Sequence, residues 1–166
     1  MELTHLDSSG QARMVDVGSK ADTHRTAVAR ATVTMNQAAY DAIVRGNLKK
    51  GDALGAARIA GIMAAKRTSE LIPLCHPIAL TRVEVTCEPV GGYIEVEARV
   101  ECVGKTGVEM EALTAVSIAA LAIYDMAKSI DRAMTIGPVR LISRSGGKSG
   151  EWRAESEDNH PGVGDH

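Results

Sequence analysis

The chain has no phenylalanine, and aromatic residues make up 2% of its 166 positions. A core of stacked rings is excluded, so the interior must be built from Ala, Val, Ile, Leu and Met, whose small side chains let backbones approach closely. The same lack argues against a single-strand RNA module, which stacks bases on sheet aromatics; the expected strands offer only Tyr93. Cysteine is sparse. Cys75, Cys87 and Cys102 are odd in number and form no CxxC pair, so neither a disulfide framework nor a thiolate zinc site is expected. Charge of one sign is also lacking. With a formal net charge of -2, bulk electrostatics give no reason to expect a nucleic-acid or membrane-surface partner, and an anionic ligand must be met by local groups. No charged-then-apolar leader opens the chain. The longest apolar stretch, residues 113–126, is interrupted by Thr114, Ser117 and Asp125 and reads as too short and polar to span a bilayer. A cytoplasmic protein is expected.

What is present is a hydrophobic content of 45%, enough for one domain of 166 residues with an ordered core over about 13–153 and mobile tails at 1–12 and 154–166. Residues 23–35 alternate, with Ala27, Ala29, Ala31 and Val33 on one side, which is a strand period. Asn36 then caps a helix that stops at Gly46, and a basic loop, "GNLKKGD", leads to a second helix over about 52–67. Pro73 and Pro77 bracket an extended link. Strands at 79–88 and 93–103 are joined through "PVGG" as a hairpin, a long helix follows at 108–129, and 136–143 supplies the last strand. The order strand, helices, strand, strand, helix, strand predicts an α+β, ferredoxin-like split βαβ fold, an antiparallel sheet with helices packed on one face.

Two carboxylates open the most apolar helix. Thr106 and Glu109 have the T-x-x-E spacing of a capping box, which accounts for Glu109 locally. Glu111 lies about 200° further around at roughly 100° per residue and has no capping role. Its helical stripe runs through Ala115, Ile118 and Ala122 to Asp125, so an apolar face carries a carboxylate at each end. A rise of 1.5 Å per residue separates the two by about 21 Å, too far for one small-molecule site within one helix. Asp125 and Lys128 also fit a surface ion pair, but an unpaired charge would be costly if this helix were buried all round.

In "IPLCHP", Cys75 and His76 are neighbours on extended chain and point to opposite sides, which disfavours a Cys–His nucleophile pair. His76 alone fits an acid, a base or a satisfied structural histidine. Lys49 and Lys50 sit between Gly46 and Gly51, and Lys148 sits in "GGKSG". Neither segment has Walker A spacing, though both suit phosphate contacts as well as they suit ordinary solvated loops.

Together "GDALGAARIAGIMAAKRTSELIPLCHP", "KTGVEMEALTA", "IYDMAK" and "IGPVRLISRSGGKSG", with "LTHLD" and "MVDV" before them, closely resemble the cyclic pyranopterin monophosphate synthase family of molybdenum cofactor biosynthesis, over about residues 3–152. The resemblance implies conversion of 3′,8-cyclo-7,8-dihydroguanosine 5′-triphosphate to cyclic pyranopterin monophosphate, with pyrophosphate released and no redox step. It implies a ferredoxin-like core and a homohexamer built as a trimer of dimers, with pockets at the dimer interface. By motif, Leu74, Cys75, His76, Met110 and Glu111 are similar to substrate-contacting residues, with Glu109 beside them. Asp125 matches a catalytic residue, Lys50 and Lys128 match essential lysines, and Arg25 and Lys148 match basic groups of the pocket. Arg144 stands where relatives commonly carry lysine, which exchanges a point charge for planar bidentate binding. His24 and the stretch after Trp152 have no counterpart in the resemblance.

No cofactor is required by this reading, and no motif has the ligand spacing that would assign Mg²⁺ to the triphosphate. The chemistry calls for several proton transfers by carboxylate, imidazole and amine groups whose pKa values are moved toward neutrality; His76 is the imidazole, and Lys50 and Lys128 near a partly buried Asp125 fit that need. Lys50 on its loop is expected to close over substrate while Lys128 and Asp125 relay protons. A different nucleotide-phosphate lyase or hydrolase would use the same charged groups and would turn over ordinary GTP. A non-catalytic ligand-sensing domain would leave Glu111, Asp125 and Lys128 as interface charges, and substituting them would change assembly.

Overall fold

The computed structural model describes residues 5–155, so the expectations for 1–4 and 156–166 lie outside the described residues. Strand β1 (Thr23–Thr34) carries Ala27, Ala29, Ala31 and Val33 fully buried on one face, as the alternation requires. Helix α1 (Gln37–Arg45) begins where the Asn36 side chain accepts from Ala39 N and ends at Gly46, whose φ of 70° is the left-handed conformation that closes helices. Helix α2 (Ala53–Lys66) is capped by Asp52, and a short α3 (Thr68–Leu71), not foreseen from sequence, leads to the proline-framed link.

Strands β2 (Leu80–Val90) and β3 (Tyr93–Gly104) form the hairpin. Gly91 and Gly92, at φ 47° and 106°, supply the two positive-φ positions of its turn. Helix α4 (Glu109–Ala127) then crosses behind the sheet, and β4 (Thr135–Ile136), β5 (Arg140–Ser145) and β6 (Trp152–Arg153) complete the chain. All pairings are antiparallel, in the order β2-β3-β1-β5-β6, with β4 also on β1. Strands β2, β3, β1 and β5 have the ferredoxin-like order, as expected. The predicted last strand over 136–143 is instead two strands. Gly137 at φ 140° and Pro138, which has no N–H to donate, interrupt the ladder between them.

Alanine sets the spacing of the layers. Ala112, Ala115, Ala119 and Ala120 of α4 are fully buried against the sheet and α2. A Cβ on Gly61 of α2 would lie 3.0 Å from the Ala115 carbonyl oxygen, so the two helices touch at backbone distance. By length and composition α4 could cross a membrane, contrary to the sequence expectation, yet its buried stripe packs into the core. Two local expectations also fail. Helix α4 starts after Val108 with no side-chain cap, so Thr106 and Glu109 do not form a capping box. Asp125 is not buried: its side chain is 55% exposed, because the buried stripe runs through Ala115, Ala119, Ile123 and Ala127.

Candidate active site

The link after α3 and the first turn of α4 enclose a cavity of about 620 Å³. Leu74, Cys75 and His76 line it from the link, and Met110 and Glu111 from the helix. The link expected to be extended begins instead as a turn through Pro73 and Leu74, closed by Cys75 N–H donating to the Ile72 oxygen at 3.1 Å, and then runs to Leu80 without helix or strand pairing. Residues 15 and 17 of the N-terminal segment form the facing wall, and Val15 oxygen accepts a 2.6 Å hydrogen bond from His76 Nε2. Because a carbonyl oxygen only accepts, Nε2 is the donating nitrogen in this bond.

Glu111 is the unusual group here. It is only 4% exposed and its pKa is pushed up to about 7, chiefly by burial and further by the nearby Glu109 charge. A carboxyl so placed exchanges a proton near neutral pH, as a general acid or base must. Burial, and then the Glu111 charge, also push the Cys75 thiol up, which keeps it protonated and a poor nucleophile.

A second cavity, about 890 Å³, adjoins the first and is basic. Arg25, Arg144 and Lys148 line it. Arg25 is 6% exposed and donates from Nε to the Gly104 oxygen (2.9 Å) and from Nη2 to the Lys105 oxygen (3.2 Å). Arg144 Nε stands 2.6 Å from Glu109 Oε1, an ion pair without an aligned hydrogen bond, and its Nη2 donates to the Gly146 oxygen at 3.1 Å. Glu109 therefore answers a distant arginine rather than its own helix terminus. Among the described residues, the two buried side-chain polar atoms without a hydrogen-bond partner, Arg144 Nε and Thr23 Oγ1, both belong to residues of this cavity. The two cavities share Lys20, Thr106, Gly107 and Glu109. Lys20 was not singled out from sequence, and nothing in "VGSKAD" marks it.

Lys50, Asp125 and Lys128 form a separate group at the far end of α4. Lys50 Nζ lies 2.9 Å from Asp125 Oδ2, and Lys128 Nζ lies 2.8 Å from Oδ1. None of the three lines either cavity. Hydrogen bonds from Lys128 and then Lys50 hold the Asp125 carboxyl down at about 2, and Asp125 in turn raises Lys128. These two pKa values move away from neutrality, opposite to the sequence expectation; Glu111 is the group that moves toward it. Among the described residues, no three His, Cys, Asp or Glu side chains cluster as metal ligands.

The description "MoaC family" is that of the family model matching residues 14–147. The cyclic pyranopterin monophosphate synthase of Novosphingobium aromaticivorans is 60% identical over 153 residues, 92% of this chain and 98% of that protein. The synthase of Thermomicrobium roseum is 56% identical over 95% of this chain and 96% of its own length, and that of Chloroflexus aggregans 58% identical over 93% and 94%.

Proposed function

We infer that this chain, which belongs to the MoaC family, is an enzyme of molybdenum cofactor biosynthesis that forms cyclic pyranopterin monophosphate. Its substrate is 3′,8-cyclo-7,8-dihydroguanosine 5′-triphosphate and its second product pyrophosphate. The observation that carries the residue assignment is the junction of two unlike cavities, one largely apolar around a buried carboxyl and one basic.

In this reading the heterocycle occupies the cavity of Leu74, Cys75, His76 and Met110. Glu111 carries a proton there, and His76 Nδ1 accepts one. The triphosphate lies in the basic cavity, where Arg25, Arg144 and Lys148 offset its charge. A substrate oxygen bonds to the inner phosphorus as the bond to the bridging oxygen breaks, and that electron pair leaves with pyrophosphate. No resident cofactor is assigned, because side-chain cations supply the counter-charge; magnesium entering on the triphosphate is compatible with it, and chelator treatment tests this.

Lys50, Asp125 and Lys128 stand apart from both cavities, so the reading brings them to the substrate from a second copy of the chain. Exposed Ile59, Met63 and Leu121 on α2 and α4 give apolar surface for contact between copies. A homohexamer built as a trimer of dimers, in the cytoplasm, completes the proposal. The test is mass spectrometry of the reaction on the cyclised dihydroguanosine triphosphate. Release of pyrophosphate together with the pyranopterin supports the reading, and recovery of unchanged substrate overturns it.

A further inference from the structure

We propose that Asp131 is a positioning residue for the Lys50, Asp125 and Lys128 group, holding the start of α1 against the turn that leaves α4 so that both lysines meet Asp125. The catalytic consequence rests on the reading of that group as part of the reaction; the positioning rests on geometry alone. Among the described residues, the buried polar side chains are Arg25, Thr68, Glu111 and Asp131. Arg25 and Glu111 line the cavities, and Thr68 Oγ1 donates back to the Ala64 and Ala65 oxygens of α2. Asp131 lines neither cavity. Its two oxygens take different partners: Oδ2 accepts from the Asn36 backbone N–H at 2.8 Å, and Oδ1 from the Ala133 N–H at 2.9 Å.

The Oδ1 bond closes the turn after α4 on itself, as Tyr124 does by donating from its hydroxyl to the Arg132 oxygen at 2.9 Å. The Oδ2 bond reaches out of the turn, to a residue 95 positions away. That residue is the cap of α1, and its own side chain accepts from Ala39 N at 2.9 Å, so the bond fixes the point from which the helix starts. Helix α1 is thinly held otherwise: Ala39 and Ile43 are its buried residues, and it approaches no other helix or strand at length. Beyond Gly46 it leads through buried Leu48 to Lys50. Lys50 then returns to Asp125, and Lys128 stands three residues before Asp131. Residues 36–50 and 125–131 are therefore joined at both ends, once by Asn36 and Asp131 and once by Lys50 and Asp125.

Burial decides which join governs the other. The Lys50 and Asp125 side chains are about half exposed, and an ion pair in that setting is weak and screened by salt. The Asn36 and Asp131 bond is shielded, and a shielded N–H that loses its acceptor bears the full desolvation penalty. The lysine loop can thus part from Asp125 and return to the same place, because the other end of its segment stays fixed. A carboxyl is needed for this: asparagine has one acceptor oxygen and would turn its NH2 toward one of the two N–H groups. Asp131→Asn therefore breaks one bond with almost no change in volume.

The test is reductive methylation of the full chain, read lysine by lysine by mass spectrometry, with Lys105 as internal reference. Lys105 is also engaged, with the Lys20 oxygen and Asp22, but has no bond to this group. In Asp131→Asn, Lys50 and Lys128 are expected to react about threefold faster relative to Lys105, the scale of a lost exposed ion pair. Asp131→Ser, whose short side chain admits water to both N–H groups, should move the ratio the same way. Val100→Ala, a fully buried change on β3, lowers stability elsewhere and should leave the ratio unchanged. Single-turnover product formation should fall about tenfold in Asp131→Asn, as misplacement of reacting groups does. Added to Asp125→Asn, the same substitution should cost less than about twofold, since no carboxylate is left to position. An unchanged methylation ratio in both Asp131 variants overturns the positioning. A rate loss equal with and without Asp125→Asn, or no loss, overturns its bearing on catalysis. A wild-type chain that forms no pyranopterin removes the functional reading, and the methylation ratio still decides the positioning.

Discussion

Lys50 and Asp125, 75 positions apart, are joined twice: Lys50 Nζ donates to the Asp125 carboxylate at 2.9 Å and to its backbone oxygen at 3.1 Å. The loop between α1 and α2 is thereby tied to the last turn of α4. Asp125→Asn removes the charge that organises Lys50 and Lys128. Product formation is expected to fall at least about a hundredfold, the scale of a lost proton-transfer group, with little change in melting temperature because all three side chains are about half exposed. Single-turnover product analysis and a thermal melt check the two halves. An active Asp125→Asn enzyme would remove Asp125 from the chemistry.

The same carboxyl should titrate far below neutrality. A depressed folded pKa means that the pair's contribution is present above the ordinary value of 3.8 and is lost as pH falls through about 2. An NMR titration between pH 4 and 8 is therefore expected to show Asp125 ionised throughout, and any activity change in that window belongs to another group.

Glu111 has the opposite sign. Its folded pKa is raised from 4.5 to about 7, so the folded chain holds that proton more tightly than the unfolded chain. Stability from this group is complete below 4.5 and is lost as pH rises through 7, by at most about 3 kcal/mol. Glu111→Gln should erase that slope, gaining on wild type in urea melts at pH 8 but not at pH 4. Parallel pH dependences in the two proteins would show that Glu111 is not held protonated.

Gly61→Val tests the helix contact. Beyond the 3.0 Å approach to Ala115 oxygen, an added Cβ would lie 3.2 Å from Val85 Cγ2 and 3.3 Å from Ala119 Cβ. Overpacking at such a contact costs about 1–3 kcal/mol, and the rigid helix backbone puts this site at the upper end. Chemical denaturation gives the value directly.

Gly147→Ala disturbs the basic cavity instead. Gly147 has φ 75°, and its added Cβ would meet the Arg25 guanidinium, 3.0 Å from Cζ and 3.1 Å from Nη2. Left-handed backbone disfavours alanine by about 1 kcal/mol. The loop bearing Lys148 should shift, weakening pyrophosphate severalfold by calorimetry with a small loss of melting temperature.

Elements whose signals are local were legible in the sequence. Asn36 and Gly46 bound α1 where their chemistry places them, and the alternation from Ala27 to Val33 marks the buried face of β1. Glu109 was misread because a capping box is a local inference, whereas the pairing that wins is with Arg144, brought close by β5. Asp125 was misread for another reason. Alanine-rich helices look apolar on every side, so the pattern does not show which stripe faces the core. The motif residues divide into one group around two cavities and another at the far end of α4, a division that spacing along one helix anticipated only for Glu111 and Asp125. Lys20 lay beyond sequence reasoning, since its place depends on a segment with no periodicity.

The scarcity of rings leaves the molecule with one indole, and it sits at an informative corner. Trp152 of β6 pairs directly across the ladder from Arg144, which lines the basic cavity, while Trp152 itself lines a separate pocket that also includes Arg144. Emission excited where tyrosine barely absorbs thus comes from a built-in optical probe beside the anion path, and ligand entry can be followed without a dye. The same light is blind to the alanine-packed interior, so a melting curve recorded by it follows the sheet edge, and the helical layer has to be watched by circular dichroism.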